Sequence, residues 1–136
     1  MNYLPKVYHY KHQEELCQAK VVRDGHSKRW IVTLHGHGGN EDQIFQRPDL
    51  TLFPSLALTA GFNIISPDLG GNCWLDKRAE ERLVSLLELL RPNMDKVILW
   101  GGSMGGTGAL IFSILHPELI DGTVALCPAG DLGGYL

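Results

Sequence analysis

No stretch of these 136 residues approaches the roughly 18 consecutive apolar residues that a membrane-spanning helix needs. The opening residues, Met1-Asn2-Tyr3-Leu4-Pro5-Lys6, lack the basic segment followed by an apolar one that marks a secretory leader, so a cytoplasmic setting is expected. Charge of one sign is missing too. There are 12 Lys and Arg against 15 Asp and Glu, a net charge of -3, and the basic residues are scattered, which argues against nucleic acid or an anionic membrane as a partner. Cysteine is scarce: Cys17, Cys73 and Cys127 are odd in number, far apart, and in neither CxxC nor zinc-type spacing with histidine. Reduced, mostly buried thiols are expected, with no disulfide and no metal.

What is present is apolar material for a core, 44% of the residues, with no repeat, low-complexity stretch or linker. Residues 1–136 therefore read as a single domain. Val7–Tyr10 and Leu16–Val22 look like a strand pair, although Gln13-Glu14-Glu15 is poor turn chemistry. Asp24-Gly25 is a turn. Trp30–Leu34, Phe62–Ser66, Lys96–Trp100 and Gly122–Leu126 are short apolar runs without alternation, as expected of strands covered on both faces.

Between them lie helical segments. Pro54–Ala60 should be a helix ended by Gly61, and a second should start at Asp76 as N-cap, carry Leu83, Leu86, Leu87 and Leu90 on one face, and end at Arg91-Pro92. A third follows Ser103, with Leu110, Ile111, Ile114 and Leu115 at helical spacing and His116-Pro117 as its stop. Strands alternating with helices predict an α/β fold with a mostly parallel sheet flanked by helices.

The chemistry concentrates where the strand ending at Trp100 meets that third helix, in Gly101-Gly102-Ser103-Met104-Gly105. A G-x-S-x-G sequence at a strand-to-helix junction makes a turn so tight that side chains at the flanking positions collide with backbone. Glycine there lets Ser103 occupy a strained conformation with its hydroxyl lifted clear of the sheet, open to a base and to a substrate carbonyl. The helix N-terminus behind it favours developing negative charge. An oxyanion hole then needs two backbone N–H groups, one after the nucleophile and one from a loop after an earlier strand. Met104 is the first. His35-Gly36-His37-Gly38-Gly39, directly after a strand, supplies the second, assigned to His37. The rival reading of His35 and His37 as a metal pair finds no further ligands at recognised spacing, so His35 is expected to hydrogen-bond within its loop.

Trp30 to Asn40, Ala60-Gly61-Phe62-Asn63-Ile64-Ile65-Ser66-Pro67-Asp68, and Gly101 to Leu110 together resemble the α/β-hydrolase superfamily, most nearly its carboxylesterase, esterase D and prolyl-oligopeptidase-like branches. The resemblance covers roughly residues 28 to 130. It implies hydrolysis of a small-molecule ester or acyl substrate through an acyl-enzyme at Ser103, with oxyanion donors at His37 and Met104 and no metal or organic cofactor. It also implies an acid and then a histidine after the nucleophile.

Here the sequence departs from the pattern. The one histidine after Ser103 is His116, at the end of the same helix. Asp131 stands where some relatives carry the acid but has no base to orient; Asp68 reads as a cap or turn residue, and His9, His12 and His26 as surface residues. The expectation is the N-terminal, nucleophile-bearing part of a larger hydrolase, its sheet stopping after the strand Thr123–Leu126, nearly inactive alone and prone to associate through that exposed edge. Two other readings stand beside it: a hydrolase-like binding module without catalysis, and a nucleotide-binding α/β domain. The second has neither phosphate-loop pattern in Gly101–Gly108. Trp74 is a candidate pocket residue or packing for its own loop.

Overall fold

The computed structural model describes residues 4–36, 40–70 and 75–126. Six strands form one sheet: β1 (Lys6–His12), β2 (Glu15–Val22), β3 (Arg29–Leu34), β4 (Asn63–Pro67), β5 (Lys96–Gly102) and β6 (Gly122–Leu126), in the spatial order β1-β2-β4-β3-β5-β6. β1 and β2 pair antiparallel, and β2 joins β4 antiparallel. From β4 onward all pairing is parallel, with Trp30 opposite Asn63, Thr33 opposite Trp100, and Trp100 opposite Val124. The expected α/β architecture with a mostly parallel sheet is thus the observed one. No described helix is long and apolar enough to cross a membrane.

The hairpin closes on two residues, because His12 pairs with Glu15. Gln13 takes φ 57, a conformation that such turns usually give to Gly or Asn, which is why this turn left so weak a trace in the sequence. Its end is not the bare surface expected for His12. His12 Nδ1 lies 2.5 Å from Ser85 Oγ, its Nε2 lies 3.6 Å from Glu81, and Glu15 pairs with Arg78 and Arg82.

Helices α1 (Gln43–Gln46) and α2 (Phe53–Thr59) connect β3 to β4; α3 (Lys77–Leu90) connects β4 to β5, and α4 (Met104–Leu115) connects β5 to β6. Gly61 ends α2 with φ 88: its N–H donates to Leu58 and that of Phe62 to Ala57, the paired bonds of a Schellman motif. Asp76 caps α3 by accepting from Ala79 N–H at 2.9 Å. Leu83, Leu86 and Leu87 of α3 are fully buried against Trp30, Val32, Ile65 and Leu99, each contributing about 2 kcal/mol through apolar burial. α2 lies on the opposite face, where Phe53 meets the ring of Trp100.

α4 is the helix expected after Ser103, and it turns its small residues to the sheet. Its buried residues are Met104, Gly105, Gly106, Thr107, Gly108, Ala109 and Phe112, whereas Leu110, Ile114 and Leu115 are exposed, Ile114 at 78%. Small residues let the helix axis approach the sheet, so Leu110, Ile114 and Leu115 turn outward while Ile111 packs against the core edge. Cys17 is a buried free thiol, and burial holds it above its ordinary pKa and so protonated at neutral pH. Cys73 and Cys127 lie outside the described residues.

Candidate active site

β5 ends at Gly102 and α4 begins at Met104, so Ser103 alone makes the turn. It does so at φ 55 and ψ -119, a combination that costs a side-chain-bearing residue about 1–3 kcal/mol and persists only when the surroundings impose it. Two backbone bonds impose it. Ser103 N–H donates to the Leu126 carbonyl at the end of β6 (2.9 Å), and Thr107 N–H donates to the Ser103 carbonyl (3.0 Å), the first turn of α4. The side chain is exposed and does not cap the helix.

The flanking glycines are required by contact. A Cβ at Gly101 would stand 2.3 Å from the Gly105 carbonyl oxygen, and one at Gly105 would stand 2.0 Å from that of Leu34. Backbone fills both spaces. The start of α4 is therefore pressed onto the last residue of β3, which brings the loop after β3 beside the turn: a Cβ at Gly36 would lie 3.3 Å from the Gly102 carbonyl oxygen.

That loop is anchored by two side chains. The Gln43 carboxamide oxygen accepts Gly36 N–H at 2.6 Å. His35, buried, accepts the Leu69 N–H on Nε2 at 3.2 Å, which leaves the ring hydrogen on Nδ1, 3.4 Å from the Gly36 carbonyl. His35 thus ties the loop after β3 to the loop after β4 rather than bonding within its own loop alone, and its Nε2 is occupied, which opposes the metal-pair reading. Behind the turn, a cavity of about 20 Å³ is lined by Thr33, His35, Gln43, Ser66, Trp100 and Gly102 and has room for one water.

Met104 is the first residue of α4, with its side chain buried. Its N–H, like those of any helical first turn, has no intrahelical acceptor and meets none among the described residues. His37, Trp74 and Asp131 lie outside the described residues.

The other ionisable groups sit elsewhere. His116 caps the far end of α4, about 18 Å along the helix from Ser103. There it bonds Glu80 at 2.9 Å, lies 3.7 Å from Glu118 and stacks near Phe112. Asp68 accepts Gly70 N–H at 3.0 Å, a turn role as expected. His9 and His26 are exposed. Among the described residues no group of three or more His, Cys, Asp or Glu is placed to hold a metal. Gln43 escaped the sequence reading: its role is that of a single acceptor seven residues from its partner, which leaves no periodic or motif signal.

A mostly parallel α/β sheet in which β5 delivers a backbone-strained serine to the N-terminus of the next helix is the arrangement of the hydrolase class of α/β folds. The family model for the alpha/beta hydrolase fold matches residues 29–133, and the chain belongs to that family. No curated protein matches the sequence. Among solved structures, the chain is similar to the fluorophosphonate-binding serine hydrolase F of Staphylococcus aureus, with TM-score 0.81 and 15% identity over 98% of this chain and 60% of that one. It is similar to an esterase of Pyrococcus furiosus at TM-score 0.77 and 17% identity, over 96% and 54% of the two chains. A ferulic acid esterase of the anaerobic fungus Anaeromyces mucronatus gives TM-score 0.73 and 20% identity over 97% and 62%. The chain thus spans between 54% and 62% of the length of these proteins.

Proposed function

We propose that this chain carries the nucleophile-bearing part of a serine hydrolase acting on carboxylic esters of small molecules. The observation that carries the reading is Ser103 at φ 55, exposed at the head of α4 and locked there by glycine-only contacts. Strain of this kind is retained where a side chain must be presented. Ser103 Oγ attacks the ester carbonyl carbon while a base takes its proton. The backbone N–H groups of Met104 and His37 receive the developing oxyanion. Collapse expels the alcohol, which leaves with that proton, and water then cleaves the acyl-serine to the carboxylic acid and free Ser103. No cofactor enters this scheme.

The acid and the base in this reading come from outside the described residues, since His12, His35 and His116 hydrogen-bond Ser85, Leu69 and Glu80 instead of Ser103. In this reading the chain alone turns over slowly, keeping roughly the 10³-fold advantage over water that binding and an oxyanion hole supply. The setting is cytoplasmic. β6 presents Val124 and Leu126 at the sheet edge, and a second copy of the chain pairs there; a monodisperse monomer in light scattering would contradict this.

The test is fluorophosphonate labelling of the purified chain beside Ser103→Ala. Ser103-dependent labelling establishes an activated nucleophile. No labelling of this chain, with Ser103-dependent labelling gained in a longer form that supplies the acid and base, is what this reading expects; no labelling in either favours the second reading, a non-catalytic binding module.

A further inference from the structure

At the opposite end of β3 from Ser103, a groove of about 430 Å³ opens between the sheet and the C-terminal end of α3. This is the size of a small-molecule site. Its apolar lining is Tyr8, Val21, Trp30, Ile65, Leu90 and Met94, from four strands and the helix end. The rim is the segment from Arg23 to Lys28: Arg23, His26 and Lys28 line the groove, and Asp24, the acid of the same segment, does not. Arg23 lies over the Trp30 ring, 5.6 Å from its centroid. Among the described residues neither Arg23 nor Lys28 has a carboxylate partner, whereas Arg47, Arg78, Arg82 and Arg91 all do.

The rim is held in place. Asn63, fully buried, accepts Asp24 N–H at 2.7 Å and donates to the Ser27 carbonyl at 2.8 Å. Ser27 Oγ donates to the Gly61 carbonyl at 2.5 Å, and Asp95 N–H donates to the Lys28 carbonyl at 2.8 Å. The nearest acid, Asp24, accepts the His26 N–H, 3.0 Å away. A buried amide that fixes the loop carrying two unpaired cations above an apolar floor is a pre-formed receptor, since the ordering cost of the rim is met before any ligand arrives.

We propose that this groove binds a small amphipathic organic anion, an aromatic carboxylate, with its flat apolar body against the lining and its carboxylate between Arg23 and Lys28. Guanidinium and ammonium groups complement a carboxylate, and Arg23 and Lys28 are exposed on the rim, open to one. The site is separate from Ser103 by the length of β3, roughly 17 Å.

The test is calorimetric titration of the full chain with 2-naphthoate and, in parallel, with the neutral 2-naphthamide. Saturable 1:1 binding of the naphthoate is expected. The amide should bind about tenfold or more weaker, the double variant Arg23→Ala/Lys28→Ala should show a similar loss, and Ser103→Ala should bind as the unaltered chain does. No saturation up to millimolar naphthoate overturns the proposal. So does equal affinity for the amide, equal affinity in the double variant, or loss of binding in Ser103→Ala. The naphthoate-to-naphthamide comparison needs no variant, so it decides the matter even if the substitutions disturb the fold.

Discussion

The two ends of the parallel strands are built on opposite plans. At the C-terminal end, Gly101, Gly105 and Leu34 pack backbone against backbone, and the strained Ser103 is held by two main-chain bonds, with Thr107 Oγ1 also donating to its carbonyl at 3.4 Å. At the N-terminal end the joints are side chains: Asn63, Ser27 and Asp121 reach carbonyls and amides of neighbouring segments, and space is left over as a groove. Backbone packing fixes a position tightly but tolerates no change in size. Side-chain joints tolerate more, and one of them, Asp121, titrates.

The sharpest way to break this contrast is Gly105→Ala. Its Cβ meets three backbone atoms within 3 Å, none of which belongs to a flexible side chain, so stability should fall by more than about 4 kcal/mol in chemical denaturation. Near-normal stability would mean that α4 stands off β3 and that the upper end is not close-packed. Ser103→Gly should move stability the other way. Relief of the positive φ outweighs the extra entropy of an unfolded glycine, for a net gain of about 1 kcal/mol and a raised Tm. A lowered Tm would show that the turn carries no strain.

At the lower end the effect is smaller and depends on pH. Asp121 accepts from Arg91 and from Val97 N–H, each at 2.8 Å, and these bonds, Arg91 first, hold its carboxyl below the ordinary range. A depressed folded-state pKa contributes stability above the unfolded value and loses it as pH falls through the folded value. Asp121→Asn should therefore cost about 1 kcal/mol at neutral pH, and the difference from the unaltered chain should close in acid, below the usual aspartate pKa. A pH-independent difference would show that Asp121 acts through shape alone.

Much of the upper end was legible in the sequence. Uninterrupted apolar runs mark β3, β4 and β5, Gly61 and Asp76 mark helix ends, and glycine spacing marks the turn at Ser103, because each of these signals is local. What escaped is carried by contacts distant in sequence. Asn63 reads as one polar residue in an apolar strand, yet it organises the loop from Asp24 to Ser27. His12 reads as surface until α3 is packed against the hairpin. The outward turn of Leu110 and Ile114 could not be read from their spacing, since spacing shows that a helix has an apolar stripe but not which face the small residues draw to the sheet.

The bond from Ser103 N–H to the Leu126 carbonyl has a consequence for motion. Among the described residues β6 has a neighbour on one side only, and an edge strand is among the first parts of a sheet to open. Each such opening unlatches the serine backbone and frees it to relax from its unfavourable dihedral angles. The presentation of the Ser103 side chain is thereby geared to the pairing of β6, and whatever fastens that strand also keeps the serine backbone in its unfavourable conformation.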